Sequence, residues 1–266
     1  MFNANSCIIG GNLNALELTA LQVSPPLTDD FIAPPCLDEI TILFQDEYLL
    51  LINKPSGLLS LSGKNPANLD SVHYRLVKDF PGCTLVHRLD LGTSGIMVIA
   101  RNKQINALLC KQFSERTVLK TYTALLFDKL KNDQGFIDAP IAKDKPNFPL
   151  MKICDKEGKT ARSLYRVLAL ESYSSHNDNA AVSSMNEQAT DSSITVTRVE
   201  FIPKTGRTHQ LRIHSQYFGH PIIGCDLYGS ETSYRLAPRL MLHATQLEFD
   251  HPISGERIFA NSPCPF

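Results

Sequence analysis

Apolar residues are sparse at the start of the chain and become periodic only after about forty residues. Over residues 1–38 they form a short patch at Ala15–Leu21 among Asn, Ser, Pro and Asp, and Pro25-Pro26 and Pro34-Pro35 break any regular element. A mobile or loosely docked extension is expected there. Two β-rich runs follow, Ile40–Phe44 and Tyr48–Ile52, separated by the turn-like Gln45-Asp46-Glu47, which predicts a hairpin. Leu69, Val72, Leu76 and Phe80 recur near helical spacing and predict an amphipathic helix over 69–80. Ile96–Ala100 is an unbroken apolar run, as in a strand buried on both faces.

Asn102 is placed to cap a helix carrying Ile105, Leu108, Leu109, Gln112 and Phe113, after which Val118–Phe127 returns to strand. Ala161–Leu170 and Ile194–Ile202 read as paired strands. Between them Ser172–Ser193, rich in Ser, Asn and Asp and lacking Lys and Arg, reads as a flexible insert. Leu211, Ser215 and Phe218 give Thr208–Phe218 a helical period closed by Gly219. Strands dominate without regular βαβ alternation, so the expected class is α+β with a mostly antiparallel sheet.

Charge sharpens this division. The chain of 266 residues has a net charge of −1, but none of its 26 Lys and Arg precedes Lys54, while seven of its 27 acids do. Residues 54–266 therefore carry a net +6, which permits a polyanionic partner without demanding one. The seven cysteines are odd in number, widely spaced and without a C-x-x-C pair, which argues against a disulfide framework and a zinc site. With no basic n-region at the N-terminus and no apolar run near about 20 residues, a soluble cytoplasmic protein is expected.

Three motifs fail on spacing or context. Gly158-Lys159-Thr160 ends like a phosphate-binding loop, but Ile153 stands where the first glycine is required. His209 and His214 are five apart, whereas two ligands on one helix face need a spacing of four. His87, Asp90 and Ser94 lack the nucleophile elbow of a hydrolase. Neither a metal nor another cofactor is expected.

The stretch VHRLDLGTSGIMVIA, Val86–Ala100, sets charge and hydroxyl against the dry run. Asp90 and Thr93 could simply cap a turn, with Gly92 and Gly95 supplying unusual dihedrals, or Asp90 could do chemistry. The same chain carries Lys120-Thr121-Tyr122, Gly206-Arg207-Thr208-His209-Gln210-Leu211-Arg212, Gly224-Cys225-Asp226-Leu227-Tyr228-Gly229, Lys54-Pro55-Ser56-Gly57-Leu58-Leu59-Ser60 and Pro238-Arg239-Leu240-Met241-Leu242-His243-Ala244. In this order, from about Glu39 to Phe266, these motifs resemble the RluA-type pseudouridine synthases, marked by H-R-L-D-x-x-T-S-G before an apolar strand.

The resemblance implies a pseudouridine synthase fold, a mixed, mostly antiparallel central sheet flanked by helices with a central RNA-binding cleft. Residues 39–266 would be the catalytic domain, with 1–38 an extension. It implies an isomerase that turns uridine within RNA into its C-glycosidic isomer without a cofactor. The expected targets are a hairpin of large-subunit ribosomal RNA and the transfer RNA anticodon loop. Alternatives are a family member with another target, or a non-catalytic RNA-binding protein. By the same resemblance Asp90 is the reactive carboxylate, Arg212 its guanidinium partner and Tyr122 the stacking tyrosine, while Arg88 fills the space left by a flipped nucleotide. His87 is either an RNA contact or a structural hydrogen bond. Leu211 is pocket or core, and Arg207 and Lys204 are phosphate contacts or ordinary surface bases. RNA and not DNA or membrane is the expected partner, and a monomer the expected state.

Overall fold

The computed structural model describes residues 31–173 and 194–266. Strands β1 (Thr41–Gln45) and β2 (Leu49–Lys54) form the expected antiparallel hairpin. Asp46 closes its turn by accepting from the Tyr48 and Leu49 amides. Helix α1 spans Val72–Asp79 and starts three residues later than the periodicity predicts. The reason is local: Ser71 Oγ accepts from the Tyr74 amide at 3.1 Å, an N-cap that leaves Leu69 outside the helix and exposed.

Strand β3 (Thr84–Leu85) leads into a loop and then β4 (Ser94–Ala100), all seven of whose residues are buried. Asn102 Oδ1 accepts from the Ile105 amide and caps α2 (Lys103–Glu115), which ends at Arg116 in the left-handed region, φ 61°. There follow β5 (Leu119–Phe127), β6 (Gln134–Asp138), the small ribbon β7 (Ile141–Lys143) with β8 (Met151–Ile153), and the long pair β9 (Arg162–Tyr173) and β10 (Ile194–Pro203). Helices α3 (Gln210–Tyr217) and α4 (Glu231–Arg235) precede β11 (Leu242–Asp250) and β12 (Arg257–Asn261).

Among the described residues the main sheet runs β1-β2-β4-β11-β5-β10-β9-β6, with β3 on β4 and β12 on β11. Every pairing is antiparallel except β4 with β11. The class is therefore α+β, as expected. Strand β4 sits between β2 and β11, and burying Ile96, Met97, Val98 and Ile99 contributes about 1.5–3 kcal/mol per side chain. It is thus a rigid anchor for the loop before it. Gly95 lets β11 come close: at φ 119°, a Cβ there would lie 2.3 Å from the Ala244 carbonyl oxygen.

Apolar side chains gather in two cores. One joins β2, β4, α1 and α2; the other joins β5, β10, α3 and residues 222–242. Tyr122 on β5 packs against both. A cleft of about 750 Å³ opens between the elements of the two cores.

One further boundary differs from expectation. Ser172 and Tyr173 belong to β9 because Glu171, Ser172 and Tyr173 pair with Val196, Thr195 and Ile194; the remainder of the expected insert, 174–193, lies outside the described residues. Residues 1–30 of the expected extension also lie outside them, but the segment before β1 is laced to α1 and the turn preceding it. The Ala33 amide donates to Asn68 Oδ1, and Arg75 donates to the Cys36 and Asp38 carbonyls. No helix among the described residues is long and apolar enough to cross a membrane.

Candidate active site

The loop between β3 and β4 carries Asp90 to the cleft, and the segment 54–60 clamps it from below. Ser60 Oγ accepts from the Leu89 amide and donates to the Leu89 carbonyl, at 3.1 and 2.7 Å. Ser56 Oγ donates to the Gly92 carbonyl at 2.7 Å, and the Gly57 amide to the Leu91 carbonyl at 2.9 Å. Lys54, fully buried, donates from Nζ to the carbonyls of Pro55, Leu58 and Leu91. Burial pulls its pKa down to about 7, and the three carbonyls supply the acceptors that the ammonium needs in a dry site. The K-P-S-G-L-L-S run is therefore the cradle of the Asp90 loop.

Replacing Lys54 with Met would leave these carbonyls without that donor while filling much of the same volume. We expect Lys54→Met to cost about 3 kcal/mol of unfolding free energy. Urea denaturation monitored by circular dichroism measures this, and an unchanged midpoint would show that the clamp is not needed for stability.

A second tether comes from the chain's other end. Arg239 Nη2 donates to Ser94 Oγ at 2.6 Å, and Ser94 Oγ donates to His243 Nδ1 at 2.8 Å. His243 Nε2 then donates to the Ser262 carbonyl. Burial lowers the His243 pKa to about 4, so the ring is neutral and can fill both roles at once.

The structure brings Asp90, Tyr122 and Arg212 into one cleft, although 122 residues separate Asp90 from Arg212 in the chain. The Asp90 side chain is 24% exposed, and its Oδ2 lies 3.9 Å from Arg212 Nη1. Arg212 projects from the first turn of α3 and is buried. Burial opposes its charge, but Cys225, Asp226 and Asp90 outweigh that, and its pKa stands above the ordinary arginine value. Arg212 also pairs closely with Asp226 and lies over the Tyr228 ring, 5.4 Å from its centroid. Nothing in the sequence marks Asp226 and Tyr228 as partners of Arg212; the G-C-D-L-Y-G run contains them without showing what they face. Burial, and then the Asp90 charge, raise the Tyr122 pKa, so its phenol stays protonated at neutral pH.

The other sequence candidates divide. Arg88 is exposed at the cleft wall. His87 lines the cleft but is held inward: Nε2 accepts from the Val98 amide at 3.1 Å and the ring stacks on Phe113 at 4.9 Å. Burial, with Lys120 nearby, lowers its pKa to about 3. Leu211 both lines the cleft and belongs to the core at 6% exposure. Arg207 Nε donates to the Thr160 carbonyl, while Lys204 is exposed. Arg116 and Lys120 join Arg88, Lys204, Arg207 and Arg212 around the cleft, where Asp90 is the acid among the lining residues. A carboxylate beneath a basic rim suits a polyanionic substrate that must approach a single reactive acid.

The chain is similar to known proteins over most of its length. The family profile for RNA pseudouridylate synthase matches residues 48–217. The dual-specificity RNA pseudouridine synthase RluA of Vibrio parahaemolyticus is 39% identical over 233 residues, covering 88% of this chain and 86% of that protein. Its namesake in Yersinia pestis is 42% identical over 214 residues, covering 80% and 94%. Human RNA pseudouridylate synthase domain containing 1, a solved structure, aligns with a TM-score of 0.69 at 28% identity, covering 88% of this chain and 86% of that one. On the profile match and these identities, the chain belongs to the RNA pseudouridylate synthase family and is an enzyme that isomerises uridine in RNA to pseudouridine.

Proposed function

We propose that the protein modifies both a hairpin of large-subunit ribosomal RNA and the anticodon loop of transfer RNA. The observation that carries the chemistry is the Asp90–Arg212 pair at 3.9 Å in a cleft with a basic rim. The two targets rest on the ordered motifs shared with RluA-type synthases, and they fit relatives covering most of this chain that are named dual-specificity RNA pseudouridine synthases. The RNA is its substrate, and a cytoplasmic monomer acting alone fits the same assignment.

In the reaction the N1–C1′ bond breaks, the detached uracil turns, C5 bonds to C1′, the C5 proton leaves and N1 gains one. Asp90 is the carboxylate that acts on the nucleotide, and the Arg212 guanidinium faces it at 3.9 Å. Tyr122 offers a stacking face to the base, and its raised pKa supports a protonated phenol rather than a phenolate base. Reaching the buried atoms requires flipping the nucleotide out, at about a few kcal/mol. Arg88, exposed beside Asp90, fills the vacated space, while Arg207 and Lys204 contact phosphates and Leu211 packs against the base. His87 serves chiefly to fix the loop, given its inward hydrogen bond to Val98.

Arg88→Ala is expected to slow modification of a structured hairpin about 100-fold while weakening RNA binding less than about threefold, because one lost cation is a small share of the electrostatic affinity. Single-turnover rates beside filter binding measure the two. Equal losses would remove the wedge role. The target assignment is tested by depleting the protein and mapping pseudouridines across ribosomal and transfer RNA. Loss at one large-subunit hairpin and in the anticodon loop supports it, and loss elsewhere reassigns the target.

A further inference from the structure

His209 lines the cleft between Asp90 and α3, yet the chemistry above gives it no part. It occupies φ 55°, ψ 18° at the N-cap of α3, a left-handed conformation uncommon outside glycine, though histidine is among the residues that hold it more readily. Its ring is fixed from behind. Nδ1 lies 2.8 Å from Tyr228 Oη, and that oxygen already accepts from the Met151 amide at 2.8 Å. Nδ1 is the acceptor that Tyr228 reaches among the described residues, so the phenol donates to Nδ1 and the imidazole proton resides on Nε2.

Burial pushes the Tyr228 pKa up to about 12, which keeps this donor protonated. Burial also lowers the His209 pKa, although the neighbouring Asp90 charge opposes it, so the ring is neutral. Nε2 has no hydrogen-bond partner among the described residues. The Tyr228 ring that orients His209 also contacts the Arg212 guanidinium. Loop, helix and arginine thus hold one neutral N–H donor beside the reactive carboxylate.

We propose that His209 Nε2–H donates a hydrogen bond to a carbonyl oxygen of the flipped uracil. This deepens the pseudouridine synthase assignment by naming a base contact in the same site. A neutral donor matches a neutral carbonyl, whereas the phosphates are matched by the cations of the rim. The reaction's geometry adds a reason. Turning uracil about the axis through N3 and C6 exchanges N1 with C5 and, at the same time, O2 with O4. One fixed donor can therefore meet O4 in one pose and O2 in the other, holding the detached base while it turns.

The test compares anticodon stem-loop RNAs carrying uridine, 2-thiouridine or 4-thiouridine at the modified position, with single-turnover rates for wild type, His209→Gly and His209→Gln. Glycine accepts the left-handed backbone, so its loss reports the side chain and not strain. Glutamine places an amide N–H near the position of Nε2. We expect His209→Gly to slow the uridine substrate about tenfold and His209→Gln less than about threefold. At least one thio substitution should slow wild type and His209→Gln about three- to tenfold, and have no further effect in His209→Gly. Thio and His209→Gly losses that simply multiply would overturn the contact, as would a His209→Gly enzyme as fast as wild type. Absence of any pseudouridine with wild type on ribosomal or transfer RNA would overturn the underlying assignment and the contact with it.

Discussion

Asp90→Asn is expected to reduce pseudouridine formation by at least about 10⁴-fold and to leave the fold in place. Asparagine has the same shape but neither the charge nor the nucleophilicity of the carboxylate, so chemistry that passes through this group should stop. The fold should survive because the loop is held by other atoms. Ser60 grips Leu89, Ser56 grips Gly92, Lys54 and the Gly57 amide grip Leu91, and the Thr93 amide donates to the Asp90 main-chain carbonyl. The side chain's described partner is Arg212 at 3.9 Å, and Arg212 keeps Asp226. A melting temperature within about 2 °C of wild type is therefore expected. Single-turnover conversion of a stem-loop RNA, read beside thermal unfolding, checks both halves. Retained activity in a pure, folded variant would remove Asp90 from the chemistry.

Arg212→Lys should cost nearly as much, about 100-fold or more in the single-turnover rate, though the substitution keeps the charge. The guanidinium reaches Asp90 through Nη1 and Asp226 through Nη2 while lying over the Tyr228 ring. An ammonium is a compact point charge and cannot span both carboxylates from a buried position. A merely structural arginine would lose rate only as far as it loses fold. Thermal unfolding of Arg212→Lys read beside its single-turnover rate separates the two, and a rate within about threefold of wild type in a folded variant would reduce Arg212 to a packing role.

Much of the scaffold was legible in the sequence where short-range physics decides it. Asn102 caps α2, the 96–100 run is a fully buried strand, and the two runs at 161–170 and 194–202 pair. The start of α1 was misplaced because Leu69 fits a helical period, although Ser71 supplies the cap. The ribbon β7–β8, strand β6 and the pair β11–β12 escaped notice, since three to nine residues of mixed polarity give a weak period unless their partners are known.

At the site, the sequence presented Asp90, Tyr122 and Arg212 through a family resemblance but left His87 divided between RNA contact and structural bond. The structure gives that ring an internal acceptor role toward Val98. It also gave meaning to runs that had none by themselves. Lys54, Ser56 and Ser60 are only part of a motif until their hydrogen bonds to residues 89–92 are seen, about thirty residues away. Asp226 and Tyr228 look like a loop until Arg212 lies between them and Asp90.

The sequence by itself determined which residues could cap, bury or bear charge, because those properties belong to each side chain and its near neighbours. It also carried the ordered motifs that resemble a family. Only the tertiary structure decided which charges meet. The Asp90–Arg212–Asp226 arrangement, the buried Lys54 clamp and the His209–Tyr228 hydrogen bond all depend on contacts between distant segments. Those bonds acquire their strength and direction when β4, β5 and α3 pack around one cleft and bury much of the groups that make them.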